Sequence, residues 1–143
     1  MEEIQIYTDG SCYPNDGTGD GGYAFVIVED GSEVHSQGNG ESPSTNNRME
    51  MKAIIDAISF CEQEVPHSNI VIYSDSTYCV NGYNSWMHRW AKKDWEGVAN
   101  ADLCKLLFET KDYNIKWVKG HSDNQWNNKA DKLASYKLYN IKR

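Results

Sequence analysis

Ile4-Gln-Ile-Tyr-Thr-Asp-Gly-Ser-Cys12 is the stretch on which the fold turns. Ile4, Ile6 and Thr8 alternate with Gln5, Tyr7 and Asp9, the period of two that a strand requires, and the run then enters the turn-rich segment Pro14 to Gly22. Gly22 to Glu29 is a second β-rich run, Asp30-Gly31 is a two-residue hairpin signal, and Glu33 to Gln37 returns as a third strand. Gly38 to Ser44 reads as a polar loop. A helix is predicted over 46–64, with Lys52, Asp56, Ser59 and Gln63 on its polar face and Ala53, Ile54, Ala57 and Cys61 opposite. Ile70 to Tyr73 is a short β-branched run joined to the first strand only through a long crossover containing that helix, as a parallel partner requires. Helical character over Thr77 to Lys93, interrupted at Gly82, is followed by a short helix over Ala101 to Lys111, a fifth strand over Ile115 to Val118 and a closing helix over Asn127 to Tyr139. The expectation is one α/β domain over residues 1–143. Its five-stranded mixed sheet opens as an antiparallel meander of strands 1 to 3, continues with parallel strands 4 and 5, and carries helices on both faces.

With 143 residues the chain can bury a core without disulfide or metal staples. A hydrophobic share of 39% and only 3 prolines exclude a disordered, collagen-like or low-complexity chain. No apolar run approaches the roughly 18 residues that cross a bilayer, and Met1-Glu2-Glu3 lacks the basic start of a signal peptide. A soluble cytoplasmic protein without membrane contact is expected. Cysteines at 12, 61, 79 and 104 form neither a redox pair nor a paired zinc framework, so reduced thiols are the simplest reading. The net charge of −7 argues against overall basicity as a grip on nucleic acid, yet its distribution is uneven. Residues 1–64 carry 13 acids against Arg48 and Lys52, whereas residues 111–143 carry eight Lys or Arg against three acids. Between them, Trp86-Met-His-Arg-Trp-Ala-Lys-Lys-Asp-Trp95 combines three tryptophans with Arg89, Lys92 and Lys93. Such a segment either stacks on nucleotides and contacts phosphates or is an amphipathic core helix with a solvated end.

Four acids stand where carboxylates are costly. Asp9 lies on the first strand. Glu50 shares a helical stripe with Ala53, Ile54, Ala57 and Cys61. Asp75 stands at the carboxyl end of the Ile70 to Tyr73 strand, the edge where open α/β sheets place ligands. Asp131 lines up with Asn127, Ala130, Ala134 and Leu138. Each also has a structural use: an Asx turn at Asp9-Gly10, a helix cap at Asp75 or Ser76, a capping pair of Glu50 with Asn47, and ion pairs of Asp131 with Lys129 or Lys132. Taken together, two acids on adjacent strands and two on helices covering the sheet point to one cluster, which needs cations between its like charges. Hard oxygen ligands suit magnesium or manganese, and two such ions about 4 Å apart support in-line phosphodiester cleavage.

At these residues the chain resembles the type 1 ribonuclease H family. Tyr7-Thr-Asp-Gly-Ser-Cys12 is similar to its first-strand signature, and Thr45-Asn-Asn-Arg-Met-Glu50 to the start of its first helix. Ser74-Asp-Ser76 with Tyr78, Trp86 with Trp90, Trp117-Val-Lys-Gly-His121, and Asn127 four residues before Asp131 follow in the family's order, across residues 4–138. The resemblance implies the ribonuclease H-like fold and an endonuclease that cuts the RNA strand of an RNA/DNA hybrid with two Mg2+ ions, Mn2+ substituting, to leave 5′-phosphate and 3′-hydroxyl ends. It implies that Asp9 bridges both ions, that Asp131 completes the site of the ion activating water, and that Glu50 and Asp75 hold the ion beside the leaving oxygen. His121 corresponds to a histidine implicated in proton transfer or product departure. Cys12, Asn15, Thr45, Asn46 and Asn47 resemble backbone and minor-groove contacts. Asn81 and Asn100 resemble DNA-strand contacts, and Trp86, Arg89, Lys92 and Lys93 belong to a segment resembling the family's basic protrusion.

The chain departs from the family at Thr77 and Asn81, where many bacterial members carry glutamine, and at Glu96-Gly97-Val98-Ala99, which replaces a more basic stretch. Weak hybrid affinity is the expected consequence. Asp16 and Asp20 stand where proline and glycine are common, which bears on the alignment of Asn15. No separate amino-terminal hybrid-binding domain is expected, and a monomer without an obligate protein partner is the default. The alternatives are a hybrid-binding module of the same fold with little or no turnover, and a related nuclease or DNA-rearranging enzyme of the same superfamily.

Overall fold

The computed structural model describes residues 3–64, 69–110, 113–120 and 124–140. β1 (Glu3–Tyr13), β2 (Gly19–Glu29) and β3 (Ser32–Ser44) form the antiparallel meander, and β2 turns into β3 at Asp30-Gly31, both at positive φ (54° and 74°). This is the turn geometry that Asp-Gly favours. α1 (Asn46–Glu64) crosses the sheet, β4 (Asn69–Ser74) pairs parallel with β1, and β5 (Asn114–Trp117) pairs parallel with β4. The sheet order β3-β2-β1-β4-β5 places β1 at its centre.

Alternation along β1 and β2 sends the two sets of side chains to different helices. Ile4, Ile6, Phe25 and Ile27 join Met51, Ile54, Ile58 and Cys61 of α1, together with Leu103, Cys104 and Leu107 of α4 (Ala101–Phe108), in the main core. Tyr7, Val26 and Val28 face the other way, onto Ala130 of α5 (Gln125–Tyr139). A β1 residue can therefore meet α1 or α5 according to its parity. All four cysteines are free and buried. Among the described residues no helix is long and apolar enough to cross a membrane.

Beyond shifts at element ends, such as β2 beginning at Gly19 inside the run read as turn and α4 ending at Phe108, two segments differ from the sequence reading. Residues 38–44, read as a polar loop, continue β3, with Gly38 opposite Ala24 and Ser44 opposite Gly19. An edge strand needs only its backbone ladder on one side, so its side chains carry no apolar alternation for a pattern to detect. The helical stretch after Ser76 is not simply interrupted at Gly82. α2 (Thr77–Asn81) runs into a π-helical turn over Gly82–Trp86 and then α3 (Met87–Lys92). The extra residue in that turn shifts the side chains that follow it around the axis.

Gly22 shows how closely α5 packs. A Cβ at this position would lie 2.0 Å from the Ala134 carbonyl oxygen and 2.5 Å from the Leu138 amide. Gly22→Ala must push backbone from backbone, and a loss of about 2 kcal/mol or more is expected, read from the urea unfolding midpoint.

Candidate active site

Asp9, opposite Ala24 on β1, and Asp75, the residue after β4, emerge at the same end of adjacent strands, because Thr8 pairs with Ser74. Glu50 arrives from above. Gly10 has no side chain to keep α1 away: a Cβ there would stand 2.3 Å from the Met49 carbonyl carbon and 2.5 Å from the Glu50 nitrogen. The helix backbone rests directly on the strand as a result, and Glu50 lies beside Asp9. The Gly10 amide donates to both carboxyls, at 2.9 Å to Asp9 Oδ1 and 3.1 Å to Glu50 Oε1. One oxygen each from Asp9, Glu50 and Asp75 lies within 4.8 Å of the other two. Asp131, on α5 across the sheet, adds its charge to that of Asp75 in raising the Asp9 carboxyl but stands outside that group. Three of the four acids thus form a tight group.

The structural uses considered for these acids are mostly met by other residues. Asp9 does accept its Asx bond from Gly10. Ser76, not Asp75, caps α2, accepting from the Cys79 amide at 3.1 Å. Thr45 accepts from the Arg48 amide at 3.3 Å at the start of α1, while Glu50 turns to Gly10 instead of Asn47. Lys129 pairs with Glu33.

Among the described residues neither Asp9 nor Glu50 has an ion-pair partner. Burial, reinforced by the charges of Asp75 and Asp131 and opposed by a hydrogen bond with Glu50, pushes the Asp9 carboxyl up to about 7. Burial first, and then the Asp9 charge, hold Glu50 well above the usual carboxylate range. Glu50 Oε2 is enclosed without a hydrogen-bond partner among the described residues. A hard divalent cation would answer both deficits, the repulsion between anions and the orphaned oxygen, and the all-oxygen donor set suits magnesium or manganese.

The residues expected to face a substrate fall into two regions. Around the start of α1, the Cys12 amide donates to Asn46 Oδ1 at 2.6 Å, and the Asn46 amide donates to Asn15 Oδ1 at 2.9 Å. The Cys12 side chain is buried, Thr45 is half-buried and Asn47 is exposed. Asn100 opens α4 in the left-handed conformation (φ 58°) and accepts from Arg48 Nη1 at 3.4 Å. The Arg48 fork meanwhile grips Asp102 at 3.1 and 3.0 Å. In the second region Trp86 packs on Trp90 and Tyr78, with ring centroids 5.9 and 6.3 Å away. Trp86, Arg89, Trp90 and Lys93 line an open cavity of about 410 Å3, to which none of the four acids contributes. Arg89, Lys92, Lys93 and Asn81 are exposed. His121 lies outside the described residues. Sequence reasoning missed two participants. Gly10 was weighed only as a turn residue. Trp90 was left out of the substrate set although its spacing of four from Trp86 signals a shared helix face.

Comparison with known proteins adds three findings. A family model described as RNase H matches residues 1–139. A ribonuclease H of Cyanothece sp. (strain PCC 7425) is 39% identical over 140 residues, covering 93% of this chain and 87% of that protein, and one of Caldanaerobacter subterraneus is 40% identical over 146 residues, covering 96% and 92%. Among solved structures, LC9-RNase H1, described as a type 1 RNase H with the type 2 active-site motif, superposes with a TM-score of 0.86 at 26% identity, over 97% of this chain and 73% of that one.

The raised acid group yields a signed pH effect. Between about pH 4 and pH 7 the folded chain keeps on Asp9 a proton that the unfolded chain has released, so metal-free stability falls as pH rises through that window. Asp9→Asn removes the cause. In metal-free buffer at pH 8 its Tm is expected to exceed that of the wild type by roughly 3 °C or more, with a smaller gap at pH 5, by differential scanning calorimetry.

Proposed function

The chain belongs to the RNase H family, and on that premise we propose that it hydrolyses the RNA strand of RNA/DNA hybrids by in-line cleavage with two divalent ions, leaving 5′-phosphate and 3′-hydroxyl ends. The reading includes one catalytic domain over residues 1–143, acting as a cytoplasmic monomer without an obligate protein partner. The observation that carries it is the convergence of three carboxyl oxygens within 4.8 Å at the ends of β1 and β4, with a buried Glu50 oxygen left unpartnered.

Asp9, Glu50 and Asp75 would hold one ion, and Asp9 with Asp131 the second; magnesium is the expected ion, with manganese substituting. When bound, such a pair supplies an activated water and neutralises charge at the leaving oxygen. The chain's own contribution is preorganisation. The Gly10 amide holds one oxygen of Asp9 and one of Glu50, so neither carboxylate has to be recruited during the reaction. The proton kept by Asp9 below about pH 7 has to leave before the site can carry its full negative charge, so ion affinity rises with pH through neutrality. On the resemblance alone, His121 is assigned proton transfer or product departure.

For the substrate, Asn15, Thr45, Asn46, Asn47 and the Cys12 backbone are assigned to the minor groove, where the 2′-hydroxyl distinguishes RNA from DNA. Asn81, Trp86, Arg89, Lys92, Lys93 and Asn100 are assigned to the DNA strand. A foamy viral protease-reverse transcriptase solved in complex with RNA/DNA hybrid shares the fold, with a TM-score of 0.80 at 21% identity, over 98% of this chain and 20% of that one. That neighbour and the named relatives favour a hybrid substrate and turnover over a binding module without catalysis.

Labelled RNA in a hybrid should be cut in the presence of magnesium, while double-stranded RNA and double-stranded DNA stay intact. Folded Asp9→Asn should lose at least about a thousandfold in rate, as expected for several kcal/mol of lost transition-state stabilisation. Wild-type cleavage by that variant would sink the mechanism. Replacing Arg89 and Lys93 together by alanine should raise KM for the hybrid, leave kcat within about twofold, and flatten the salt dependence of binding by roughly one unit per lost phosphate contact.

A further inference from the structure

We propose that Asn127 is a positioning residue whose side-chain amide holds the Asp131 carboxylate in the ion-bound protein, an inference that rests on the metal-dependent reading above. Asn127 is 1% exposed, and neither its Oδ1 nor its Nδ2 has a hydrogen-bond partner among the described residues. Turning the amide over exchanges the two atoms and satisfies neither. Buried polar atoms are nearly always paired, because an unpaired one gives up its hydration for nothing in return. An amide left in this state opposes folding, so its use has to be sought elsewhere.

The start of α5 does not need this side chain. Asn124 provides the cap, its Oδ1 accepting from the Trp126 amide at 3.0 Å and the Asn127 amide at 2.9 Å. The layer beneath the helix does not need it either. Ala130, Ala134 and Leu138 continue the stripe as buried apolar residues, and Ala130 packs with Tyr7, Val26 and Val28. Leucine, which has the same outline as asparagine, would suit that layer better. The polar group one turn further along the same face is Asp131. At a spacing of four the two Cβ atoms are about 5 to 6 Å apart, and the later side chain leans back over the earlier turn. Asp131 is half-buried and lies close enough to Asp9 for its charge to raise the Asp9 carboxyl. Carboxylates that hold ions are themselves hydrogen-bonded from behind, and the Asn127 amide is a donor placed to do this for Asp131. The unpaired amide of the metal-free fold is then a partner kept ready for the loaded one.

The test is Asn127→Leu in the full chain, which keeps the shape of the side chain and removes both polar atoms. The metal-free Tm is recorded, and Mn2+ binding is measured by titration calorimetry. Asn127→Ala, too small to crowd Asp131, controls for size in the binding measurement. The expected result is a leucine variant whose Tm equals or exceeds that of the wild type, while Mn2+ affinity falls about tenfold to a hundredfold in both variants. Hybrid cleavage should recover as Mn2+ is raised. An amide with a purely structural role, or one bonded to an internal water, would instead give the leucine variant a lower Tm and leave the isotherm unchanged. A lowered Tm or failure to fold in the leucine variant, or a wild-type isotherm in either variant, would overturn the proposal and leave the metal-dependent reading intact. A wild-type chain that bound no Mn2+ would remove that reading and this inference with it.

Discussion

The backbone contact between α1 and β1 at Gly10 is the constraint on which the site depends. Helices usually stand off a sheet by the thickness of two layers of side chains. At this point the strand offers a hydrogen atom, and the Met49–Glu50 peptide settles onto it. A longer separation would leave Glu50 above the sheet and Asp9 facing α5 beneath it, since their side chains belong to opposite layers. The close approach collapses that separation and allows one amide to hold an oxygen of each. Asp75 then needs only to reach the same strand end, which the β1–β4 pairing provides.

Such an arrangement opposes folding. Two buried acids without ion-pair partners among the described residues, a raised protonation equilibrium on both, and an oxygen those residues leave orphaned each subtract from a stability of about 5 to 15 kcal/mol. The opposition is affordable because it is confined to the ends of β1 and β4. Below that level the sheet centre is dry and apolar: Ile6, Ile54 and Ile72 are fully enclosed, and each side chain of this size contributes about 1.5 to 3 kcal/mol. The polar knot of Cys12, Asn15 and Asn46 beside the site ties the strand end, the following loop and the helix start together without further charge.

Sequence periodicity made the sheet's order legible wherever a segment had one wet and one dry face. The alternation of β1, the Asp30-Gly31 turn and the stripe on α1 all have that character, and each element lies where its pattern indicates. Residues 38–44 were illegible for the converse reason, being an edge strand of polar side chains held through its backbone. The π turn after Asn81 was visible only as a disturbance at Gly82, because one added residue alters direction without altering composition. The four acids were recognisable by their unsuitability to their surroundings. Their proximity was not, since a distance between Asp9 and Glu50 depends on what Gly10 lacks, and an absent atom leaves no periodic signal. The order of strands and helices pointed to a grouping, and the resemblance added what each acid would hold.

The same π turn bears on how an acidic protein can hold a polyanion. The net charge of −7 repels phosphate at long range, so attraction has to be local and close. Acids dominate residues 1–64, and on the proposed reading the most concentrated of them are neutralised by ions that also meet the substrate. Away from them, the π turn and α3 set Trp86, Trp90, Arg89 and Lys93 around one open cavity. Flat rings offer contact area that salt does not screen, whereas the cations supply attraction that salt does screen. A chain with few bases thus gains more from placing two of them beside tryptophans than from spreading them over its surface. Glu96-Gly97-Val98-Ala99, which follows Trp95, adds no base, so on the proposed reading the grip relies on stacking as much as on charge.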